Sequence, residues 1–435
     1  MISTEIDESK LKKQSFVSVM SLFFQSGYSA VLGLVANLIL TILLRPSVFG
    51  IYIIVLSVIS FLNYFSDIGL AASLIQKREL TDEDTKTVFT VQQLLIFTLL
   101  IIGFLSTNFI KNFYKLPADG VYLYWALLFS FFLSSLKTIP SVLLERKIQF
   151  KKIVFVQIVE NTIFYILVSI FALVGFGLGS FTIAVVARSL VGLGLIYLIS
   201  PWVPQFGLSI KHLRQLLSFG IPFQASSFLA LFKDDLIILY LGRVLGFEGL
   251  GYIGWAKKWA DAPIRIIMDN ISKVIFPLIA RYQDNREKIK GLAEKMLHYQ
   301  ALILVPSYLG AIIIMPYLLE IVPKYNKWTP ALPYFFVFCV SSLIVSFSAP
   351  FMNLYNALGR VKITFSFMAF FTVLIWTVTL ILTATIGALG FPIAHLVVSI
   401  SFLLVFFKAR KEFGFRLLHF QKNPIEEIKS IYKNG

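Results

Sequence analysis

The sequence predicts an all-α polytopic membrane protein, with about twelve transmembrane helices in two six-helix lobes and both termini cytoplasmic. Three observations carry the prediction. The 435 residues are 57% hydrophobic and only 14% charged, with a mean hydropathy of +0.81, whereas a soluble chain holds about a quarter charged residues. The apolar residues gather into runs near the ~20 that a helix needs to cross the hydrocarbon core. Landmark residues also recur at an offset of about 200 positions, the signature of an internal repeat.

The spans follow in order. The first fifteen residues mix acids and bases and lead into an apolar run over 16–44, too long for a cleaved signal-peptide core and so read as a retained first helix. Short breaks then separate spans at 50–75, 87–110, 120–144, 153–174 and 178–199. The stretch 201–214, with Pro201, Pro204 and Lys211, reads as a polar cytoplasmic linker. Beyond it come 215–241, 248–281, 296–319, 329–357, 362–386 and 389–407. The expected units are an N-terminal lobe over 1–200, the linker over 201–214, a C-terminal lobe over 215–407 and a basic tail over 408–435. The tail reads as an amphipathic segment drawn to anionic lipid on the inner surface. Trp125, Trp255 and Trp328 near outer span ends, and Trp202 near an inner one, read as interfacial anchors.

Charge tests the span that hydropathy supports least, 248–281. With twelve spans and the N-terminus inside, 26 Lys and Arg fall on the inner side, 6 on the outer side and 7 within spans. Removing the eighth span flips everything after it and breaks the positive-inside rule across the second half. The net charge of +16 is thus a matter of topology, since no basic block is long enough for a nucleic-acid patch. Cys339 is the single cysteine, and the four histidines are scattered without ligand-like spacing. No metal or cofactor is expected; a coupling cation, H⁺ or Na⁺, stays open.

The repeat pairs three places. Gly50-Ile51-Tyr52 matches Gly251-Tyr252-Ile253; "FGLSIKHLRQ" (206–215) matches "FGFRLLHFQK" (413–422); "ERKIQFKKI" (145–153) matches "NALGRVKITF" (356–365). An even repeat of six spans keeps both halves in one orientation, as in two-lobed transporters.

The stretches "RPSVFGIYIIVLSVISFLNYFSDIGLAASLIQK" (45–77), "LERKIQFKKI" (144–153), "LGFEGLGYIGWAKKWADAP" (245–263), "FPLIARYQ" (276–283) and "NALGRVKITF" (356–365) resemble the bacterial polysaccharide flippases of the Wzx or PST type. These belong to the multidrug/oligosaccharidyl-lipid/polysaccharide exporter superfamily. The resemblance implies a two-lobed, V-shaped bundle of the cytoplasmic membrane that moves lipid-diphosphate-linked oligosaccharide, with that molecule and membrane lipids as partners. A polysaccharide polymerase and a chain-length regulator stay open as further partners.

Charges inside the membrane are costly and normally face a partner or a wet cavity. In the eighth span Lys257, Asp261, Arg265, Asp269 and Lys273 stand at steps of four, which drift only ~40° each and so share one helix side. "KDD", Lys233, Asp234 and Asp235, lies in the adjoining seventh span, and Glu160 and Arg188 lie at similar depth in the fifth and sixth. These charges either line a hydrated cleft between the lobes or pair to lock the seventh helix to the eighth. In the cleft, Arg265, Lys233, Arg188 and Lys257 are the candidates for a diphosphate, to which Arg offers a planar donor fork and Lys a point charge. His395 reads as a packing residue rather than a proton relay.

Two rival functions follow from the same residues. An enzyme acting on lipid-linked sugars needs room for chemistry, yet the outer loops are short and hold no acid pair, so no enzyme is expected. A cation-coupled exporter of small molecules or drugs would match the helix count, but it is expected to carry an acid in the first span. Span 16–44 has none; its strongly polar groups are Gln25 and Asn37. A peptidoglycan-precursor flippase is the third reading, and its relatives usually carry two extra helices.

Overall fold

A computed structural model describes residues 8–265 and 285–415, and every regular element among them is helical. The first half supplies α1 (Glu8–Leu43), α2 (Pro46–Asn63), α3 (Leu70–Gln76), α4 (Asp82–Leu105), α5 (Thr107–Tyr114), α6 (Ala118–Leu136), α7 (Thr138–Arg146), α8 (Phe150–Leu173) and α9 (Gly179–Ile199). The second half supplies α10 (Ile210–Ala230), α11 (Ile237–Ala260), α12 (Arg286–Ile321), α13 (Leu332–Ala357), α14 (Val361–Ile386), α15 (Gly390–Ser401) and α16 (Leu403–Phe413).

Among the described residues ten helices are long and apolar enough to cross a membrane. Two of them are broken: Leu231–Ala260 joins the end of the seventh span to the start of the eighth, and Lys362–Phe413 joins the eleventh to the twelfth. Gly246 breaks the first with φ of +69°, a conformation that costs glycine least. Gly242 then packs on Ile54 and Gly254 on Ile53, so the chain has turned back along α2. A single helical turn at Gly387–Leu389 divides the second pair. Twelve spans result, as the positive-inside argument requires. The eighth is described as far as Arg265; its remainder, with Asp269 and Lys273, lies outside the described residues, as does most of the basic tail.

Sequence chemistry sets the span ends. Pro46 occupies the first turn of α2, where its missing N–H costs no hydrogen bond. Thr81 and Asp84 form a reciprocal capping box at the start of α4, an arrangement worth about 1 kcal/mol. Asp84 is also buried against Lys77 Nζ at 2.6 Å. Arg146 donates to the carbonyls of Leu74, Ile75, Lys77 and Arg78 and so closes the C-terminal end of α3. These contacts gather Lys77, Arg146 and the start of α10 at one end of the bundle, hereafter the basic end. There Arg360 pairs with Glu412, and Ser73 donates to Leu216 O across the halves. The linker has no regular secondary structure over 201–209 and is tied to α4 by hydrogen bonds from Gly207 N to Thr90 and Ser209 N to Thr87.

Each half has its own core. Among the described residues one runs from Leu40 to Val185 and the other from Ile237 to Phe415, and the second also takes in Ile54, with Leu38, Ile42, Phe49 and Ile53 packed against it. At the end opposite the basic one, the halves meet through reciprocal contacts. Gly50 abuts the carbonyl of Phe247, and Gly251 abuts the carbonyl of Pro46. Tyr114, after the third span, donates to Leu239 O on the seventh span. Tyr325, after the ninth span, accepts from Thr41 Oγ1 on the first at 3.1 Å. Trp328 Nε1 and Lys327 Nζ donate to the carbonyls of Thr41 and Ile42.

This seam corrects the reading of two tryptophans. Trp255 is 3% exposed and Trp328 is fully buried. Their rings stack at 5.4 Å and 12°, and Trp255 Nε1 donates to Tyr325 Oη. Both indole N–H groups find protein partners, so the rings seal the seam rather than ride at the water interface. Such stacking adds ~0.5–1.5 kcal/mol to area burial. Trp125 remains substantially exposed, in keeping with an anchor.

Candidate functional site

Among the described residues a cavity with charged side chains in its lining lies in each half. The second-half cavity encloses about 480 Å³ between α2, α11, α13, α14 and α15. Lys233, Asp234, Lys257, Asp261, Arg265 and His395 line it, among apolar walls that include Ile53, Ile237, Leu241 and Phe391. The first-half cavity encloses about 410 Å³ and is lined by Ser60, Asn63, Ser130, Ser134, Lys137, Glu160, Arg188 and Ser189, with Tyr52, Phe131 and Phe164 as aromatic walls.

Local backbone aims the "KDD" residues. Leu231–Leu236 is a π-helical turn between α10 and α11, a feature that often marks functional positions in helices. Its wider winding separates neighbouring side chains. Lys233 and Asp234 face the second-half cavity and pair at 3.4 Å. Asp235 instead hydrogen-bonds the Tyr64 hydroxyl beyond the end of α2. A carbonyl of the turn, Phe232 O, accepts from Trp376 Nε1 at 2.8 Å.

The four-residue spacing in the eighth span has the expected consequence at its first step. Lys257 Nζ lies 3.1 Å from Asp261 Oδ2. Asp261 also accepts from Ser342 Oγ at 2.8 Å on α13, and Lys257 reaches His395 Nε2 at 3.3 Å on α15. The Lys257 ammonium stands 5.7 Å from the Phe338 ring centroid. Both ion pairs therefore form within a single span, Lys233 with Asp234 and Lys257 with Asp261. Neither fastens the seventh helix to the eighth.

In the first half, Glu160 pairs with Lys137 at 2.5 Å rather than with Arg188. The Arg188 guanidinium sits 5.7 Å from the Phe164 ring centroid, a cation–π contact. Ser130 and Ser189 hydroxyls meet at 2.5 Å beside it. Arg188 and Arg265 both act electrostatically on Tyr165, on α8.

A charge balance follows. Lys137, Lys233 and Lys257 are each neutralised by a carboxylate. Among the described residues Arg188 and Arg265 form no ion pair; Asp269, one turn beyond Arg265, lies outside them. Sequence reasoning singled out both arginines, together with Lys233, Asp234, Lys257 and Asp261, and these six line the two cavities. It missed the Lys137–Glu160 pair, Tyr165, Ser342 and the inclusion of His395 in the Lys257 cluster. None of these carries a local signal: a lone histidine, serine or tyrosine in an apolar run looks like packing until the fold brings its partner.

The family described as polysaccharide biosynthesis protein matches residues 39–333. The lipopolysaccharide biosynthesis protein WzxC of Escherichia coli K12 is 26% identical over 387 residues, covering 85% of this chain and 75% of that protein. The succinoglycan biosynthesis transport protein ExoT of Rhizobium meliloti is 21% identical, covering 81% and 69%. Among solved structures, the lipid II flippase MurJ in an inward closed conformation superposes with a TM-score of 0.72 at 15% identity, covering 92% of this chain and 89% of that one. The last likeness is one of fold.

Proposed function

The chain belongs to the polysaccharide biosynthesis protein family, and on that premise we propose that it flips a polyprenyl-diphosphate-linked oligosaccharide from the inner to the outer leaflet of a bacterial cytoplasmic membrane. The observation that carries this reading is the pair of arginines, Arg188 and Arg265, one in each half and neither ion-paired among the described residues. Their two positive charges suit the two phosphates of the carrier, and each guanidinium offers a planar fork to a phosphate oxygen pair. The first-half cavity, with four serines, Asn63 and aromatic walls, suits sugar hydroxyls. The polyprenyl tail stays in lipid.

The basic end faces the cytoplasm in this proposal, as the positive-inside rule directs. Alternating access then needs two seals that open in turn. The reciprocal contacts around Gly50, Gly251, Tyr114 and Tyr325 are the outward seal. Breaking them while the basic end closes releases the head group outward. The ion pairs of Lys233, Lys257 and Lys137 keep the cavity surface hydrated without a net charge that would trap the substrate.

The test is complementation of a strain lacking the gene, scored by surface polysaccharide at matched membrane levels. Arg265→Ala is expected to lower export by about a hundredfold, as loss of a charged phosphate contact costs several kcal/mol. Arg265→Lys is expected to retain part of it. Full export by Arg265→Ala would remove the diphosphate role.

A further inference from the structure

A third cavity lies on the outer surface of the second half, away from the lobe seam. It encloses about 460 Å³ between α14 and α16 and is lined by Lys362, Ile363, Ser366, Phe367, Phe370, Leu404 and Lys408. The spacing of 362, 363, 366, 367 and 370 puts these residues on one helix face, and 404 and 408 share a face of α16. Stacking of Phe371 on Phe402, with centroids 3.8 Å apart and planes at 13°, fastens the two walls together.

Charge and apolar surface are separated along this groove. Lys362 is in the first turn of α14 and Lys408 stands one turn beyond Leu404 in α16, just before its basic last turn, so both lysines line the end of the groove nearest the basic end. Among the described residues neither lysine has a carboxylate partner. Phe367 and Phe370 follow Lys362 along α14, about 7 and 12 Å deeper at ~1.5 Å per residue. Phe370 and Leu404 are exposed, at 45% and 52%. A phosphate between the lysines would therefore carry its chains down an open apolar trough.

We propose that this groove is a binding site for an anionic phospholipid of the cytoplasmic leaflet, its phosphate between Lys362 and Lys408 and its acyl chains along Phe367, Phe370 and Leu404. The inference rests on the basic end being cytoplasmic, as proposed above. The first half sets the contrast. By the repeat, Lys151 and Lys152 stand where Lys362 stands, but α9 ends at Ile199 and "LIYLISPWVP" (195–204) holds no base. The second basic wall exists only in the C-terminal half. Depth selects the occupant: a bilayer phospholipid presents its phosphate at the interface and its chains beneath, as the groove does, whereas the transported head group enters the seam between the lobes.

Native mass spectrometry of the full chain, released from nanodiscs of mixed phosphatidylglycerol and phosphatidylcholine, tests the proposal. The wild type is expected to retain phosphatidylglycerol in preference to phosphatidylcholine. A Lys362→Gln/Lys408→Gln variant is expected to lose that retention by roughly tenfold or more, since each lysine contributes to anionic-lipid attraction. The Lys→Arg pair should keep it, and a Lys151→Gln/Lys152→Gln variant should match the wild type. Unchanged unfolding temperature in detergent checks that the Gln variant is folded. Equal retention of the two lipids, or of phosphatidylglycerol by wild type and Gln variant, would overturn the site. Displacement of phosphatidylglycerol by added polyprenyl diphosphate would also overturn it and reassign the groove to the carrier. Retention is read without transport, so failure of the flippase reading leaves a different trace: normal lipid binding with no export defect in the deletion strain.

Discussion

Gly50 and Gly251 stand one repeat apart, and each lies against the carbonyl four residues before the other: Gly50 on Phe247 O, Gly251 on Pro46 O. Ile53 and Gly254, related by the same offset of 201 residues, touch each other. The repeat thus folds into a pseudo-twofold contact at the end opposite the basic one. A Cβ at either glycine would overlap backbone, which cannot move aside as a side chain can.

Gly50→Val and Gly251→Val are therefore expected to hold this seal apart. Forced overpacking costs ~1–3 kcal/mol, so the seal should open without unfolding either lobe. Accessibility of a cysteine at Thr41, probed with a membrane-impermeant maleimide in a Cys339→Ser background, should rise in both variants. Unchanged labelling would mean that the seam is not closed by these glycines.

Locking the seal is the converse experiment. An Ile53→Cys/Gly254→Cys pair is expected to cross-link under oxidation, because the Cβ at 254 points at the Ile53 side chain. Export should stop when the bond forms and return with reductant. Export by the cross-linked protein would exclude opening of this seam as a transport step.

Lys137 and Glu160 make a prediction about stability. Their pair is buried to about four-fifths on the lysine side and nearly wholly on the glutamate side. Removing one partner leaves a largely buried charge unpaired, which typically costs 3–5 kcal/mol. Glu160→Gln or Lys137→Met should lower the unfolding temperature in detergent sharply, and the combined variant should recover much of the loss. Equal losses in single and double variants would show that the pair is not coupled.

Much of this architecture was legible in the sequence because its causes are local or periodic. Span lengths follow from hydropathy, the eighth span from the distribution of Lys and Arg, and the Lys257–Asp261 pair from a four-residue step on a helix. The pairing of Gly50 with the second lobe also had a sequence trace, since the same Gly-Ile-Tyr landmark recurs at 251–253. What was not legible depends on contacts between distant spans. Whether Glu160 pairs with Lys137 or Arg188 is decided by rotations of α6, α8 and α9, which hydropathy does not encode. Trp255 and Trp328 looked like interfacial anchors because an amphipathic ring near a span end has that use; only the fold brings Tyr325 and the Thr41 carbonyl to their N–H groups. The π turn at Leu231–Leu236 has no periodic signal at all, so the divergence of Asp235 from Asp234 could not be foreseen.

Asp261 tests what the mixed charges do. Asp261→Asn keeps the hydrogen bond from Ser342 in reach but removes the counter-charge of Lys257. The partly exposed pair should contribute no more than about 1 kcal/mol to stability, so unfolding in detergent should change little. Export should fall by about tenfold, as a third uncompensated base traps the head group after binding. A stability loss matching the export loss would make the pair a structural device instead.

The central claim is that this chain moves lipid-linked oligosaccharide, with Arg188 and Arg265 holding the diphosphate. The most direct measurement is on a deletion strain: extract the lipids and assay polyprenyl-diphosphate-linked oligosaccharide on the cytoplasmic side together with surface polysaccharide. The account predicts accumulation of the former and loss of the latter, both reversed by the intact gene and by neither Arg188→Ala nor Arg265→Ala. No accumulation, with altered tolerance to cationic drugs in its place, would contradict it.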